Sequence, residues 1–378
     1  MRVNLGAVAK ESRETLSGSK RGLPVVGLEH ITPGELSLLA WDVDKENSFT
    51  KVFRKGQILF GRRRAYLKKA AIAPFDGICS GDITVIEAIP DKILPDLLPF
   101  VIQNDIFFDY AMGKSAGSLS PRAKWEHLRN FEFHLPPMAQ QGKLAHLLWT
   151  ANTTRDAYKK LLAATDALVE SRFVELFGDP DKNDKGLPLT ALKDCCIINP
   201  RKSEDKRLVK GLEVSFVPMA AVSEKGALDL SETRLYEKVK TGFTYFSEND
   251  VLFAKITPCM ENGKGAIMEN LNQGVGFGST EFHVLRPIEG VSNPYWLYQI
   301  TAFDKFRKDA AMNMTGSAGQ RRVPASYLEK YHIGLPPIDL QIRFAEFVRQ
   351  ADKSKSALQD TIDRLETTYK SLLRENLG

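Results

Sequence analysis

HLPPMAQQ (His134–Gln141) and GLPPIDLQ (Gly334–Gln341) are near copies of one octapeptide, 200 residues apart in a chain of 378. The match continues past both copies without a gap, until Gly178 aligns with Gly378. A repeated octapeptide that is followed each time by a similar segment indicates an internal repeat. Because the matching residues come in the same order, chance similarity is a poor explanation. The sequence therefore predicts a duplicated unit, made of a module and the helix that follows it.

The segments 138–177 and 338–377 have the periodicity of long amphipathic helices. Apolar or small residues recur at alternating spacings of three and four, as in a heptad seam. The predicted seam positions are Leu144, Leu147, Ala151, Thr154, Tyr158, Leu161, Thr165 and Leu168, and then Phe344, Phe347, Ala351, Ser354, Leu358, Thr361, Leu365 and Thr368. The double prolines suit helix starts, and Gly178 suits a helix end. Forty residues make a rod of about 60 Å, which cannot bury its stripe alone. We expect the two helices to pair with each other; the alternative is that each packs on its own module.

Shorter matches upstream follow in the same order, with small changes of offset. They align SAG at 115–117 with SAG at 317–319, Ser80 with Ser279, Asp82 with Glu281, Gly56 with Asn249, Val26 with Val217 and Val3 with Leu187. The predicted domain bounds are 1–137 (module 1), 138–178 (first helix), 179–337 (module 2) and 338–378 (second helix). If a pseudo-two-fold axis relates the halves, the helices run antiparallel with one module at each end, and the chain termini lie close together.

Composition limits the class of protein. Hydrophobic residues make up 43% of the chain and charged residues 26%, as in ordinary globular proteins. No apolar run approaches the about 18 residues of a membrane span, and the N-terminal segment lacks the apolar core of a signal peptide. None of the four cysteines forms a C-x-x-C pair, which favours a reduced, cytosolic and metal-free protein. A net charge of +5 permits a polyanionic partner without requiring one.

Both modules are predicted to be mixed and rich in strands, which gives the α+β fold class. Apolar runs bounded by turn residues predict strands at QILFGR (57–62), DITVIEAI (82–89), FEFHL (131–135), DVLFAKI (250–256) and EFHVLRP (281–287). Each module also has one predicted helical stretch before its SAG. These stretches are 96–111 and 294–311.

Polar chemistry concentrates in glycine-containing loops: GRRRAYLKK (61–69), GKSAGSLSPRAK (113–124), AKITPCMENGKG (254–265) and TGSAGQRR (315–322). Arginine pairs with guanine in bidentate fashion and Asn or Gln with adenine, while hydroxyls and backbone N–H groups hold phosphates. The predicted DNA-binding residues are Arg62, Arg63, Arg64, Tyr66, Lys68, Lys114, Ser115, Ser118, Arg122, Lys124, Lys255, Thr257, Asn262, Lys264, Thr315, Ser317, Gln320, Arg321 and Arg322. The alternative is that these loops are solvated surface without a ligand.

Candidate enzymatic motifs do not meet their structural requirements. GVGFGS (274–279) would have to open a helix to bind a nucleotide, but strand-like TEFHVL follows, so we interpret it as a tight turn into a strand. GKS (113–115) has Phe108 where a phosphate-binding loop has its first glycine. NPYW (293–296) lacks the second proline of an amino-methyltransferase signature and is interpreted as a helix start. DPDK (179–182) is interpreted as a linker. The six histidines show no catalytic or metal-ligand spacing, so no active site, cofactor or metal site is predicted.

Two variable modules, each closed by LPP…Q and a long amphipathic helix, resemble the specificity subunit of type I restriction–modification enzymes. The resemblance covers essentially the whole chain. In module 2 it is carried by NDVLFAKITPCMENGKGA, GFGSTEFHVLRP, NPYWLYQI and TGSAGQRRVPASYLEKYHIGLPPIDLQ, and module 1 has counterparts. Module 1 departs at GRRRAYLKKAA, where the T-P…N-G-K pattern is missing. Gln140 and Leu340 stand where the family usually has an acidic residue.

The resemblance implies a non-catalytic subunit in which each module is a target-recognition domain for one half of a bipartite DNA site. The antiparallel helices would set the distance between the halves. Methyltransferase subunits, two in number, would clamp the DNA, and restriction subunits would join them in the cytoplasm. Two other functions stay open: an enzyme that acts on nucleic acid by itself, and an assembly scaffold whose basic loops bind no DNA.

Overall fold

A computed structural model describes residues 1–115, 121–317 and 319–378. The chain divides into two compact units. Unit 1 consists of Met1–Lys160 and Leu358–Gly378, and unit 2 consists of Leu161–Ala357. Each unit thus holds one module together with parts of both long helices. The predicted four-part domain division stays a prediction.

The elements of the first half of the chain are short, apart from the helix that closes it. The strands are β1 (Arg2–Asn4), β2 (Ala9–Ser12), β3 (Pro24–Val26), β4 (Asp42–Val43), β5 (Lys51–Phe53), β6 (Ile58–Gly61), β7 (Ala70–Ile72), β8 (Gly77–Cys79), β9 (Ile83–Ala88) and β10 (Glu132–His134). The helices are α1 (Leu5–Val8), α2 (Leu98–Ile102), α3 (Asp105–Gly113), α4 (Trp125–Leu128) and α5 (Met138–Phe177).

The second half repeats these elements in the same order and adds one short helix, α7, between β14 and β15. The strands are β11 (Leu189–Ala191), β12 (Cys196–Ile198), β13 (Glu213–Val217), β14 (Thr233–Leu235), β15 (Thr244–Ser247), β16 (Val251–Ala254), β17 (Gly265–Ile267), β18 (Val275–Gly278), β19 (Phe282–Pro287) and β20 (His332–Gly334). The helices are α6 (Leu192–Cys195), α7 (Tyr236–Val239), α8 (Pro294–Ala302), α9 (Asp304–Met312), α10 (Ala325–Lys330) and α11 (Ile338–Leu377).

The sheets of the two units have the same topology. Unit 1 has four-stranded sheets in the orders β2-β9-β6-β7 and β4-β3-β8-β5, and unit 2 has β12-β19-β16-β17 and β14-β13-β18-β15. In each second sheet one pair is parallel, β3 with β8 and β13 with β18. Strands β6 and β16 are buried along their whole length, because their alternate side chains pack into separate cores on the two faces of the sheet. The predicted α+β class, with its five strands, is confirmed.

A small two-stranded sheet closes each module. In unit 1, β1 pairs antiparallel with β10, and Val3 faces Phe133. In unit 2, β11 pairs with β20, and Thr190 faces Ile333. Val3 therefore corresponds to Thr190, and the sequence alignment of Val3 with Leu187 was wrong by three residues. That stretch is short and low in sequence similarity, so only strand pairing fixes its register.

The expected closeness of the chain ends is visible within unit 1. The Met1 ammonium lies 3.3 Å from His134 Nε2, and His134 Nδ1 lies 3.2 Å from the carbonyl oxygen of Asn376. One side chain at the end of module 1 thus contacts residues near both ends of the chain.

The glutamine of each LPP…Q stretch ties its helix start to its module. Gln341 Oε1 accepts from Asn293 N at 2.8 Å, while its amide nitrogen donates to the carbonyl oxygens of Val291 and Pro336 at 3.0 and 2.9 Å. Both ends of this buried amide are therefore satisfied by backbone groups. The prolines lack the N–H that a first turn leaves unpaired, and the glutamine fixes the direction in which the helix leaves.

We call this arrangement of glutamine hydrogen bonds the clamp, and it also occurs in unit 1. Gln141 Oε1 accepts from Leu94 N at 2.8 Å, and its amide nitrogen donates to Pro136 O at 3.0 Å. The octapeptide is duplicated because each module needs this junction between its body and its long helix.

The two long helices pack against each other within each unit. In unit 1 the beginning of α5, at Leu144 and Leu148, shares a core with Leu373 and Leu377 near the end of α11. In unit 2 the end of α5 meets the beginning of α11. Phe344 lies edge-on to the rings of Phe173 and Phe177, with centroid distances of 5.4 and 5.5 Å. The start of each helix meets the end of the other, so they run antiparallel, as predicted.

The phase of the seam differs from the prediction at every second position except Phe347, which packs against the core of unit 2 as predicted. Leu147, Leu161 and Leu168 were predicted to face the partner helix, yet they are about half exposed. Leu148 and Val169 are buried instead. The other residues that are more buried than the predicted seam residue one place before them are Arg155, Leu162, Lys355, Ile362 and Tyr369. The polar residues among them hid the true phase.

Polar members of the seam are accommodated by local partners. Arg155 bonds to Asn152 Oδ1 and to Asp156 Oδ1, both at 2.9 Å, and its guanidinium lies 6.0 Å from the centre of the Tyr369 ring. In unit 2, Lys355 bonds to Asp352 and lies 3.3 Å from Asp166. Because these charges are paired, a seam that is partly polar remains packed.

Each helical stretch predicted before SAG is two helices rather than one. In unit 1, α2 and α3 are separated at Gln103–Asn104, where the Asn104 side chain accepts from Ile106 N at 3.1 Å and caps α3. In unit 2, α8 and α9 are separated at Phe303, whose backbone is extended. The predicted start of α8 at NPYW is confirmed, because Pro294 is its first residue and Asn293 caps it. An interruption of one or two residues between two helices does not disturb the apolar pattern of the stretch. The periodicity of the sequence therefore did not reveal the interruption.

GVGFGS is a strand rather than a turn into one. Val275–Gly278 form β18, which lies between β13 and β15. A Cβ on Gly276 would lie 2.2 Å from the Phe246 ring, and one on Gly278 would lie 2.3 Å from the Val217 carbonyl oxygen. These glycines allow close packing inside a sheet, so the run has no need of a nucleotide to explain it.

Two other features bear on the sequence predictions. Gly178 follows the end of α5 with φ of +82°, a conformation that favours glycine, as expected for a helix end. Within 1–115, 121–317 and 319–378, no helix is both long enough and apolar enough to span a bilayer.

Candidate nucleic-acid interface

The loops predicted to bind DNA meet in each unit at one place, which we call the loop junction. In unit 1 the segment after β6 lies between the start of β9 and the segment before α4. Arg62 N donates to Asp82 O at 3.0 Å, Ala123 N donates to Arg62 O at 2.9 Å, and Arg64 N donates to Pro121 O at 3.2 Å. One backbone hydrogen bond therefore ties the segment after β6 to the start of β9, and two tie it to the segment before α4.

The loop junction of unit 2 repeats these three bonds. Lys255 N donates to Glu281 O at 2.9 Å, Val323 N donates to Lys255 O at 2.9 Å, and Thr257 N donates to Arg321 O at 3.0 Å. Lys255 thus corresponds to Arg62, and Thr257 corresponds to Arg64. The backbone frame is the same in both units, although most of the side chains on it differ.

An arginine paired with a carboxylate lies at the centre of each junction. Arg122 Nε donates to Asp82 Oδ1 at 2.7 Å, and Arg322 Nε donates to Glu281 Oε2 at 2.9 Å. These hydrogen bonds hold the pKa of both carboxyl groups below their ordinary values. Both acids are therefore ionised at neutral pH.

Serines fix the acids in the same way in both units. Ser80 Oγ accepts from Asp82 N, and Ser279 Oγ accepts from Glu281 N, both at 3.2 Å. The sequence alignment of these two pairs is confirmed by their equivalent places. Sequence reasoning aligned the acids without giving them a role, and the repeat alignment was the signal that could have found them.

The other predicted residues of module 1 lie around its junction. The side chains of Arg64, Tyr66 and Lys124 are exposed, while the Arg62 Nε atom is buried and has no hydrogen-bond partner among the described residues. Arg63 Nη1 lies 3.6 Å from Asp82 Oδ2. A cation-rich rim thus surrounds the Asp82 carboxylate.

Three further predicted residues of module 1 have contacts away from the Asp82 carboxylate. Lys68 forms an ion pair with Asp105, at the rim of a cleft of about 810 Å³. The exposed Lys114 ammonium lies 5.8 Å from the Tyr110 ring, and Ser115 Oγ donates to Ala111 O. Ser118 lies outside the described residues.

In module 2 the junction gathers most of the predicted residues. Lys255 is half-buried, and burial lowers its pKa. Thr315 and Arg322 exchange backbone hydrogen bonds, and Gln320 O accepts from Arg322 Nη1 at 3.0 Å. Arg321 Nη2 lies 3.8 Å from Glu261 Oε1.

The remaining predicted residues of module 2 divide by exposure. Asn262 and Ser317 are exposed, and Thr257 Oγ1 donates to Glu261 Oε1 at 3.1 Å. Lys264 donates instead to Met219 O, as Lys69 does to Leu28 O in unit 1. The structure therefore gives Lys264 a bridging contact away from the junction.

A buried histidine of β19, His283, contacts the backbone of the loop junction in unit 2. His283 Nε2 lies 2.8 Å from Val323 O, so it donates, and Nδ1 accepts from Asn199 Nδ2 at 3.0 Å. Burial lowers the pKa of this imidazole, and the nearby Lys255 charge lowers it further. In unit 1 the equivalent position in β9 is Thr84.

We expect unit 2 to lose stability in acid because of His283. The pKa of the folded imidazole lies below its unfolded value of about 6.5, so the unfolded chain binds a proton more readily. The free energy of unfolding should therefore fall below pH 6.5, by up to about 1.4 kcal/mol per pH unit, until the folded pKa is reached. Hydrogen exchange of unit 2 amides at pH 7.5 and 5.5 measures this. His283→Thr, which copies unit 1, should flatten the slope; an unchanged slope would show that another group causes it.

One group of three metal-ligand side chains occurs among the described residues. Carboxylate and imidazole atoms of Glu29, His30 and Asp42 lie within 4.8 Å of one another. However, His30 Nδ1 accepts from Gly27 N at 3.0 Å, and Nε2 lies 3.3 Å from Asp42 Oδ2. Both ring nitrogens are engaged, so this group does not suit a cation.

The fold and the paired junctions define a class of proteins: two sheet-rich modules of one topology, each carrying a basic loop junction, on two antiparallel helices. Residues 190–367 match the family model described as the type I restriction modification DNA specificity domain. The second half of the chain thus matches this DNA specificity domain, and the resemblance to type I specificity subunits seen in the sequence is confirmed.

Curated relatives agree with this family. The chain is 36% identical over 196 residues to the specificity subunit of the type I restriction enzyme EcoAI from Escherichia coli, which is 50% of this chain and 32% of that protein. It is 35% identical over 202 residues to the EcoEI specificity subunit of the same organism, 51% of this chain and 33% of that protein. The matched regions thus span about a third of each relative.

Solved structures show the same fold over the full chain. The S subunit of a type I restriction–modification system from M. genitalium has a TM-score of 0.60 at 10% identity, covering 100% of this chain and 96% of that one. A chain from a study of complex assembly and conformational transition of the type I R-M system has a TM-score of 0.55 at 19% identity, covering 100% and 97%.

Proposed function

We propose that this chain is the DNA sequence-specificity subunit of a type I restriction–modification complex and that each module reads one half of a bipartite DNA site. The observation that carries the proposal is the duplicated loop junction. Each module holds its basic and polar loop side chains on the same three backbone hydrogen bonds. A protein that reads two separate half-sites needs two such surfaces in one chain.

The chemistry of the junctions suits DNA. Arg62, Arg64 and Lys255 offer charge for phosphates, while Gln320 and Asn262 are exposed amides of the kind that pair with adenine. The division of roles among the predicted residues is part of the proposal. Backbone hydrogen bonds fix the loops before DNA arrives, which lowers the entropy lost on binding.

In this proposal the partner subunits carry out the chemical reactions, and this chain selects the DNA sequence at which they act. Methylation of a base in duplex DNA requires that the base be flipped out of the stack, so a methyltransferase subunit must be held over one fixed position. We propose that methyltransferase subunits, two in number, bind this chain, that restriction subunits can join them, and that the assembly works in the cytoplasm. The chain itself is proposed to be non-catalytic.

Methylome sequencing tests this function. The chain is produced together with its companion methyltransferase in a host that lacks type I systems, and the two are co-purified. We expect a methylated motif with two specified halves separated by bases of no fixed identity. Methylation by the methyltransferase without this chain, or a motif with no gap, would contradict the proposal.

The two other functions give different results in simpler assays. If the chain were an enzyme acting alone, the purified chain would modify or cleave DNA without a partner. If it were only a scaffold, replacement of Arg62, Arg63 and Arg64 by Ala would leave DNA affinity unchanged. The proposed function predicts weaker binding to every sequence and a smaller dependence on salt when phosphate contacts are lost.

A further inference from the structure

We propose that Arg122 and Arg322 each read a guanine, one in each half-site, and that Asp82 and Glu281 are the positioning residues that aim them. This inference rests on the proposed function and deepens it. It assigns two residues of the same place in the fold to base reading and leaves the phosphates to exposed cations such as Arg64.

The hydrogen bonds of each arginine leave part of its guanidinium available for a base. Glu281 accepts from Arg322 Nε at 2.9 Å and Nη2 at 2.8 Å, and Gln320 O accepts from Nη1 at 3.0 Å. A guanidinium has five N–H groups. Among the described residues these bonds use three of the five, which leaves one N–H on each terminal nitrogen to donate to guanine O6 and N7.

Arg122 is held in the same orientation. Its Nε donates to Asp82 Oδ1 at 2.7 Å, and its Nη2 lies 3.4 Å from Oδ2. Within 1–115, 121–317 and 319–378 the terminal nitrogens have no further hydrogen bond, so both keep N–H groups for a base edge. The side chain is 42% exposed, and that of Arg322 is 40% exposed, so both remain within reach of a ligand.

The carboxylate beside each arginine also changes what the arginine attracts. A carboxylate within 3 Å offsets most of the positive charge that a phosphate would attract. An arginine bound to an acid is therefore a weak site for phosphate, but its N–H groups keep their directions for a base edge. Exposed cations without an acid, such as Arg64, suit phosphates better.

The two units share the acid–arginine pair but differ in the residues around it. At the first junction segment, Arg62 and Arg64 are replaced by Lys255 and Thr257, so the charges there differ. The acid and arginine pair, with its serine, is kept in both units on the same backbone frame. Two modules that read different sequences share an arginine fork and vary the residues around it.

The test measures discrimination rather than affinity alone. Arg122→Lys and Arg322→Lys keep the charge and remove the fork. The full chain with its companion methyltransferase is titrated with duplexes that carry the methylome-derived target, and with duplexes that change one base pair at a time. We expect each variant to lose roughly ten- to hundred-fold of its discrimination at a single G·C pair, in one half-site only. Binding to unrelated DNA and its salt dependence should stay as in the unchanged chain.

Matched controls are Arg54→Lys in module 1 and Arg234→Lys in module 2. Both arginines are paired with carboxylates, and in the described part of the chain neither bonds to a residue of the junctions. They should leave discrimination unchanged. Equal loss of discrimination in a control and in the test variant would overturn the inference, as would a uniform loss across all base pairs.

The positioning residues have their own readout. Glu281→Gln removes the charge that holds Arg322, so we expect lower discrimination together with tighter binding to unrelated DNA. A merely structural acid would weaken both. Glu281→Asp should restore discrimination in part, because Asp82 already fills this role in unit 1. If the unchanged chain binds its target specifically and these variants do not differ from it, the inference fails alone. If the unchanged chain shows no specific binding, the proposed function fails with it.

Discussion

Gln341→Leu should lower the free energy of unfolding of unit 2 by about 3 kcal/mol or more. The substitution keeps the side-chain volume but removes the hydrogen-bond partner of three buried backbone groups, Asn293 N, Val291 O and Pro336 O. Each buried polar group left unpaired costs about 1–3 kcal/mol. Hydrogen exchange of unit 2 amides in the full chain measures the loss, and amides at the start of α11 should respond most.

The chain supplies a matched control for this prediction. Gln141→Leu removes the hydrogen-bond partner of two backbone groups in unit 1 and should lower its free energy of unfolding by about 2 kcal/mol or more. The adjacent Gln140→Leu should cost less than about 0.5 kcal/mol, because Gln140 is exposed and the repeat already has Leu340 there. Equal effects at 140 and 141 would show that the clamp does not hold the helix start.

Leu148→Ala is expected to destabilise unit 1 by about 2–5 kcal/mol, the usual cost of a cavity at a fully buried leucine. Leu148 is 0% exposed and belongs to the core that includes Leu373 and Leu377. Denaturant unfolding of the full chain, followed by hydrogen exchange of unit 1, measures the change.

Its neighbour Leu147 provides the comparison. Leu147 is 47% exposed, so Leu147→Ala should change stability by less than about 0.5 kcal/mol. Both substitutions make the same chemical change on one helix, and they differ only in which face the side chain occupies. A larger cost at Leu147 would restore the seam phase expected from the sequence and contradict the packing described here.

The repeat made much of the fold predictable. Two copies of LPP…Q marked both helix starts, and apolar runs marked the strands, because both signals are local in the sequence. The seam phase was not predictable from apolar residues alone. Arg155 and Lys355 occupy inward positions, and their charges are matched by partners that only the packed structure reveals. The break at Asn104 was hidden for a similar reason, since a capped turn inside an apolar stretch leaves the pattern intact.

The candidate site was predictable at the level of loops. Glycine-bounded segments rich in Arg and Lys pointed to both junctions, but their chemistry depends on residues distant in sequence. Asp82 meets Arg122, and Glu281 meets Arg322, only because strand pairing brings the start of β9 or β19 to the segment before α4 or α10. Lys264 has the composition expected of a binding residue and is directed elsewhere by its bond to Met219 O.

The central claim is that each module reads its own half of the target. The most direct test is the methylome of a strain that carries the companion methyltransferase and the chain with Arg321 and Arg322 both replaced by Ala. We expect the motif to relax in one half, with the other half and the gap unchanged. Relaxation of both halves together, or of neither while methylation persists, would contradict the account.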